Sequence, residues 1–347
     1  QLDIFTAPSM QLGSRASKKY SDPNAWHNQF YSLVTTKIDE EIFKPLFPEG
    51  KKSGRPNASI RILVAMSVLK EGFGCSDEDL FEKCEFDLLT RKALGMELLT
   101  DVTPSIDTYY LFRRRICEYQ ERTGIDLMQL CFEQLAGKHV HLLKISGKCV
   151  RMDSKLIGSN IARQSRYELI HTTLVKFLKT CTLTHLSPEQ EERAKEYLKE
   201  DSSKTVYRSD SDTLQSNLAR IGNFIMEMLA VFPATSPAHN LLQRLFDEQY
   251  VVMDGKAVLR DKKEVKADSL QNPNDPDATY RAKNDQKVQG YVTNITETVE
   301  EGKPNIITSV LVETAVFADC HFLQEAVENS ERVTDSTIED LYADGAY

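Results

Sequence analysis

Two aspartates, with 190 residues between them, are the strongest candidates for chemistry in this chain. Asp153 follows the short apolar run Cys149-Val150-Arg151-Met152, and Asp344 follows Leu341-Tyr342-Ala343, so each is predicted to end a buried strand. A carboxylate in such a place is costly unless a positive charge meets it. Two carboxylates that converge form a site for a hard divalent cation, because magnesium and manganese prefer oxygen ligands. The alternative is that each aspartate only makes the turn after its strand.

The elements that position these aspartates are predicted from the hydrophobic pattern. They are a strand at 145–152, strands at 287–299 and 306–316 joined by the loop 300–305, a short helix at 322–329, and a last strand at 339–343. This order resembles a ribonuclease H-like core, in which the first and the last of these strands lie side by side. That arrangement implies that the two aspartates are neighbours.

Helices are predicted for most of the remaining chain. The first fifty residues look irregular, and the polar stretch 261–287 looks rich in turns, whereas the rest of residues 1–140 and the block 165–250 show helical spacing. A helix at 59–71, a glycine break and a helix capped by Ser76 give the outline of a helix-turn-helix, which any helical bundle also produces. The helix that begins after Ser105 is predicted to turn four side chains inward, namely Tyr109, Tyr110, Phe112 and Ile116. His139 and His141 alternate across a possible extended segment.

Composition limits the class of protein. Hydrophobic residues make up 41% and charged residues 27%, which is typical of a soluble globular protein, and no stretch approaches the roughly 18 apolar residues that span a bilayer. Seven cysteines without a C-x-x-C pair favour reduced thiols in a cytoplasm. The net charge of −9 falls entirely within residues 151–347. Any contact with DNA must therefore come from local basic patches or from metals that neutralise carboxylates.

Six segments, taken in order, resemble a DDE transposase of bacterial insertion sequences, with a helical N-terminal domain before a ribonuclease H-like core. The segments are Gly54-Arg55-Pro56, Gly72-Phe73-Gly74-Cys75-Ser76-Asp77-Glu78-Asp79-Leu80, Leu111-Phe112-Arg113-Arg114-Arg115-Ile116, Arg151-Met152-Asp153-Ser154-Lys155 with Ser159-Asn160-Ile161, Asp275-Pro276-Asp277-Ala278-Thr279-Tyr280-Arg281-Ala282-Lys283, and Ala343-Asp344-Gly345-Ala346-Tyr347. Together they span most of the chain, and their order is more specific than any one segment.

The resemblance implies roles for individual residues. Asp153 and Asp344 match the first and second carboxylates that hold Mg2+ or Mn2+ in this family. The third ligand of the family is a glutamate on a helix downstream of the second aspartate, and this sequence ends before that position. The catalytic set is therefore expected to be incomplete here, either because the sequence is a fragment or because the product is naturally truncated.

Five basic residues are candidates for contact with DNA phosphates, namely Arg113, Arg114, Arg115, Arg281 and Lys283. The three adjacent arginines cannot all pair locally on one helix, so at least one is expected to face solvent or a phosphate. The alternative for them is a solvated helix face with ion pairs to Glu118 or Glu121. The other two lie in the polar stretch that leads to the second strand, where loose solvation is the alternative.

The lead interpretation is a metal-dependent DNA transposase of mixed α and β class. It places a helical DNA-recognition domain at 1–140 and a ribonuclease H-like core at 141–347, interrupted by helices at about 165–250. The expected partners are double-stranded DNA and a second copy of the chain, with no membrane, in the bacterial cytoplasm and at the nucleoid when bound to DNA. Two alternatives remain, a catalytically inactive truncated protein that binds element ends and a host nuclease that cuts DNA without joining it.

Overall fold

The computed structural model describes residues 8–47, 58–234, 236–283 and 286–344. Within these residues, fourteen α-helices and seven β-strands are distributed over two compact units. The first unit contains residues 1–151, 296–309 and 327–341, and the second contains 152–295, 310–326 and 342–347. The predicted mixed class with a helical N-terminal region is confirmed. Two stretches of the resemblance, Gly54-Arg55-Pro56 and Gly345-Ala346-Tyr347, lie outside the described residues.

The N-terminal part of the first unit is helical. Its helices are α1 (Pro8–Gln11), α2 (Ser14–Tyr20), α3 (Trp26–Leu33), α4 (Ile60–Phe73), α5 (Asp77–Phe86), α6 (Leu88–Ala93), α7 (Ile106–Thr123) and α8 (Leu127–Leu143). The predicted irregularity of the first fifty residues was wrong for α1 to α3. Pro8 misled that prediction because it begins α1, where a missing backbone N–H costs nothing. His139 and His141 lie in α8, so the extended segment expected there was wrong as well.

Local capping explains where these helices begin and end. The Ser76 hydroxyl accepts the Asp79 backbone N–H at 3.1 Å, and the Asp79 carboxylate accepts the Ser76 N–H at 3.3 Å, which closes a capping box. Ser105 caps α7, and Gly124 ends it with φ +73°, a conformation that suits glycine. Four side chains were predicted to point inward on α7, and the prediction was wrong for Tyr110. It is 44% exposed, and its hydroxyl donates to Asp77 at 3.2 Å.

A second group of helices follows the first strand, within the predicted block 165–250. They are α9 (Arg166–Leu178), α10 (Pro188–Lys199), α11 (Ser202–Arg208), α12 (Ser211–Val231) and α13 (Pro237–Gln249). Their apolar faces, including Leu174, Phe224 and Leu245, share one buried cluster. An antiparallel hairpin of β2 (Tyr250–Met253) and β3 (Lys256–Leu259) follows directly. This hairpin was not predicted, although Asp254-Gly255, with φ +51° and +74°, is a strong hairpin signal.

The main sheet has five strands, β1 (Cys149–Gly158), β4 (Thr279–Lys283), β5 (Gln286–Thr298), β6 (Ile307–Thr314) and β7 (Asp340–Tyr342). The strand order is β4-β5-β1-β7, and β6 also pairs with β5. A short 3-10 turn (Asp319–Phe322) and α14 (Leu323–Thr334) connect β6 to β7, so the helix there is longer than predicted. The strand β4 was missed, because it lies in the polar stretch 261–287 that was expected to form turns.

Backbone contacts fix the directions of the central strands. The Val299 N–H donates to Cys149 O at 2.9 Å, and the Ser159 N–H donates to Gln289 O at 2.8 Å, so β1 and β5 are antiparallel along the whole of β1. The Glu339 N–H donates to Lys148 O at 2.7 Å, so β7 begins against the residue that precedes β1. Because β7 also pairs with β1, the two strands must run in the same direction.

Candidate active site

Asp153 lies within β1 and not at its end. Along this strand Arg151, Asp153 and Lys155 are exposed, whereas Val150 and Met152 are buried, as the two-residue period of a strand requires. The Asp153 carboxylate accepts the Ser154 backbone N–H at 2.8 Å. The prediction that Asp153 ends its strand was wrong, since β1 continues to Gly158. Its carboxylate faces solvent, so no burial cost has to be offset by a cation.

Asp344 stands two residues beyond the last residue of β7, and it is also exposed. The predicted burial of this strand was wrong, because Leu341 and Tyr342 are 37% and 61% exposed. Asp344 follows Glu339 by five residues, just as Asp153 follows Lys148 by five. Parallel strands that start together rise by about 3.3 Å per residue. Extended over the two residues that follow β7, the same register predicts that Asp344 lies alongside the part of β1 that carries Asp153.

Contacts on either side of Asp153 hold this part of β1 in place. Arg151 forms an ion pair with Glu297 of β5, with 2.5 Å between its Nε and the carboxylate. At the far end, the Ser159 hydroxyl donates to the Asp275 carboxylate at 2.5 Å, and the Tyr291 hydroxyl donates to the other oxygen of that carboxylate. Burial, together with this hydrogen bond to Asp275, raises the pKa of Tyr291. Asp275 thus ties the end of β1 to β5.

Gly290 of β5 approaches the backbone of β1 closely. A Cβ atom at this position would lie 2.2 Å from Ile157 O and 2.6 Å from Ser159 N. Real Cβ atoms do not come so near to backbone atoms, so this contact requires glycine. Asp275, Tyr291 and Gly290 were not predicted to support the site. Gly290 had a local signal, because a glycine inside a strand pattern often marks a close approach of two backbones.

Two of the predicted DNA contacts, Arg281 and Lys283, lie in β4 of the main sheet. One Arg281 nitrogen donates to Ala315 O at 3.3 Å and to Phe317 O at 3.0 Å, and it pairs with the Asp319 carboxylate at 3.2 Å. Arg281 is therefore used to hold the turn after β6, and phosphate contact by it stays a prediction. Lys283 is the last residue of β4, and its side chain lies outside the described part of the chain.

The three adjacent arginines of α7 each have a local neighbour. Arg113 lies 3.7 Å from the Asp77 carboxylate, and its guanidinium lies 5.6 Å from the Tyr109 ring centre. Arg114 lies 3.5 Å from Glu118, and Arg115 stacks on Phe47 at 5.3 Å from the ring centre. Because Arg113 and Arg114 remain at least half exposed, their ion pairs contribute little and leave both side chains accessible to an anion.

The carboxylates of Asp153 and Asp344 are oxygen donors of the type that Mg2+ prefers. Among residues 8–47, 58–234, 236–283 and 286–344, no group of three or more His, Cys, Asp or Glu side chains is arranged to hold a metal. Magnesium, however, is bound in many enzymes by one or two carboxylates, with water and substrate phosphates as its other ligands. Asp153 within β1 and Asp344 just after β7 are exposed carboxylates of the type that this mode uses, and they do not suit a cage built only from protein side chains.

Comparison with known proteins supports a transposase. Residues 19–115 are similar to a protein family described as "Transposase domain (DUF772)". This segment runs from the end of α2 through α3 to α6 and into α7, and it includes Arg113, Arg114 and Arg115. The match does not extend to Asp153 or Asp344. No curated protein and no solved structure matches the chain.

In the part of the chain that the structure describes, none of the helices has both the length and the apolar composition needed to cross a bilayer.

Proposed function

We propose that the protein is a DDE-type DNA transposase, which hydrolyses a phosphodiester at the ends of its element and transfers the freed strand to target DNA. Asp153 and Asp344 are its metal-binding carboxylates, and α7 contributes DNA contacts through Arg113, Arg114 and Arg115. Double-stranded DNA is the proposed partner, and a second copy of the chain is the proposed partner within the DNA complex. The proposed location is the bacterial cytoplasm.

The observation that carries the proposal is the pairing of β7 with β1. The order β6-β5-β1-β7 has antiparallel neighbours up to β1 and a parallel pair after it. This arrangement is the one expected of a ribonuclease H-like core whose first and last strands each carry an acid. The similarity of residues 19–115 to a transposase domain supports the same class from an independent part of the chain.

Metal binding and phosphate binding would be carried out by different residues of this chain. Asp153 and Asp344 would hold Mg2+ or Mn2+, which when bound supplies positive charge next to a phosphodiester. The Ser154 N–H orients the Asp153 carboxylate from within the strand. The negative charge of two carboxylates repels DNA, so a divalent cation at this site would also permit the backbone to approach. Arg113 and Arg114 are exposed cations that can bind phosphates of the flanking duplex.

The test is cleavage of a supercoiled plasmid that carries the two chromosomal segments flanking the coding sequence. We expect the protein encoded by the complete open reading frame to nick this plasmid with Mg2+ and not with EDTA. Asp153→Asn and Asp344→Asn should each lower the rate on the order of 100-fold or more, because each removes a charged metal ligand. Asp340→Asn is the matched control, since Asp340 is exposed on β7 but lies four residues before Asp344.

Undiminished cleavage by Asp153→Asn would refute the proposal. If the protein encoded by the complete open reading frame binds the flanking DNA but does not cut it, it is instead a DNA-binding protein without catalysis. Cutting of the plasmid without any joined product would indicate a nuclease on the same core. The three classes of protein are therefore separated by three readouts, namely binding, cleavage and joining.

A further inference from the structure

Two cations lie on either side of Asp153 on the exposed face of β1, and they differ in what they contact. Arg151, two residues before Asp153, is neutralised by its ion pair with Glu297. Lys155, two residues after Asp153, is exposed, and none of the carboxylates in the described residues forms an ion pair with it. The strand thus presents one unneutralised positive charge beside its candidate metal ligand.

The backbone holds Lys155 at a fixed place relative to Asp153. Two residues of extended strand separate their Cα atoms by about 6.6 Å, and the two side chains emerge on the same face. The strand cannot shift freely, because Ser159 is tied to Asp275 and Gly290 packs directly against Ile157 O. A lysine side chain is long enough to reach over that separation. Its ammonium can therefore meet an anion that also approaches the Asp153 carboxylate.

We propose that Lys155 binds a phosphate of the DNA backbone next to the bond that is cut. The inference rests on the proposed function, because it takes DNA to be the molecule that approaches Asp153. A phosphodiester brought to two carboxylates carries the same sign of charge as they do, so a nearby cation without a partner favours its approach. Lysine acts as a point charge toward phosphate, which suits a backbone contact without base specificity. Arg151 cannot take this role without breaking its pair with Glu297.

The experiment measures binding and does not depend on cleavage. A fluorescent 40-base-pair duplex from the flanking DNA is titrated with the full chain at a fixed concentration of Ca2+, which carboxylate oxygens also bind, over a series of KCl concentrations. Lys155→Gln should weaken binding at low salt by about tenfold and reduce the slope of log Kd against log salt by about one, as loss of one phosphate contact does. Lys155→Arg should restore both values. Lys256→Gln is the matched control, an exposed strand lysine in the same unit.

Each outcome decides one question. An unchanged slope for Lys155→Gln overturns the inference, and so does an equal loss for Lys256→Gln, which would show a general effect of charge. The plasmid assay with Asp153→Asn is run alongside. Loss of cleavage by Asp153→Asn, together with an unchanged slope for Lys155→Gln, removes only the role of Lys155. Normal cleavage by Asp153→Asn removes the proposed function, while the slope still shows whether Lys155 contacts DNA.

Discussion

Arg91 in the N-terminal helices and the pair Asp153 and Lys155 in the central sheet are charged side chains with very different surroundings. Arg91 of α6 is only 5% exposed, and its guanidinium donates to three backbone carbonyls, Cys84 O at 3.1 Å, Leu98 O at 2.8 Å and Asp101 O at 2.9 Å. Asp153 and Lys155 are exposed on β1, and they make few contacts within the protein. The Arg91 guanidinium is used by hydrogen bonds within the fold, whereas Asp153 and Lys155 remain accessible to other molecules. Substitution should therefore cost stability in one region and activity in the other.

The largest effect on stability is expected for Arg91→Ala. It leaves three carbonyls near the core without their donor, and each unsatisfied buried group costs about 1–3 kcal/mol. We expect a loss of about 4 kcal/mol in the free energy of unfolding. Urea unfolding followed by circular dichroism measures it. Arg114→Ala is the matched control, an exposed arginine whose loss should change stability by about 0.5 kcal/mol at most. Equal losses for the two variants would contradict the distinction between buried and exposed charged side chains.

A smaller effect is expected at Gly290, where the sheet has a structural requirement next to its candidate site. Gly290→Ala places a methyl group against the backbone of β1, and overpacking of this kind costs about 1–3 kcal/mol. Because β1 must shift to relieve the clash, the rate of Mg2+-dependent plasmid cleavage should fall as well. Gly158→Ala is the control, since no heavy atom lies within 4 Å of the Cβ it would add. A Gly290→Ala variant with full stability would show that β1 can move without cost.

Local signals in the sequence were sufficient for much of the helical structure. Ser76 and Ser105 were recognised as the starts of helices, because an N-terminal cap depends on residues two or three positions away. Tyr110 was misjudged, because its neighbours Tyr109 and Phe112 define the buried stripe and Tyr110 falls beside it. Errors of this kind are confined to one side chain.

The site was predictable in its topology but not in its details. The resemblance of the strand order to a ribonuclease H-like core was sufficient to expect β7 beside β1. The length of β1 was not predictable, because residues 154–158 are extended through pairing with β5, more than 130 residues away. The contacts of Arg281 depend in the same way on residues 34 to 38 positions further along. Such partners leave no local pattern in the sequence.

The smallest effect is expected from a buried histidine in the inserted helices. It tests whether the titration of one buried group contributes to the pH dependence of stability. His171 of α9 contacts Tyr197 O at 3.1 Å, and Glu200 lies 3.6 Å away. Burial lowers the pKa of His171 below its usual value near 6.5, and the attraction of Glu200 only partly opposes this. The neutral ring is thus favoured by folding. Stability from this group is complete above about pH 6.5, and it declines as the pH falls toward the lowered pKa of the folded state.

We therefore expect the urea midpoint of the wild-type chain to fall between pH 7 and pH 5.5, and to fall less in His171→Gln, which cannot titrate. Glu200→Gln should make the wild-type decline steeper, because it removes one of the two carboxylates, Glu200 and Asp201, that favour the protonated ring. Neither variant should change the salt dependence of DNA binding at pH 7, where His171 is neutral. Parallel pH profiles for the wild-type chain and His171→Gln would mean that exposed groups, and not this buried one, set the response of the fold to acid.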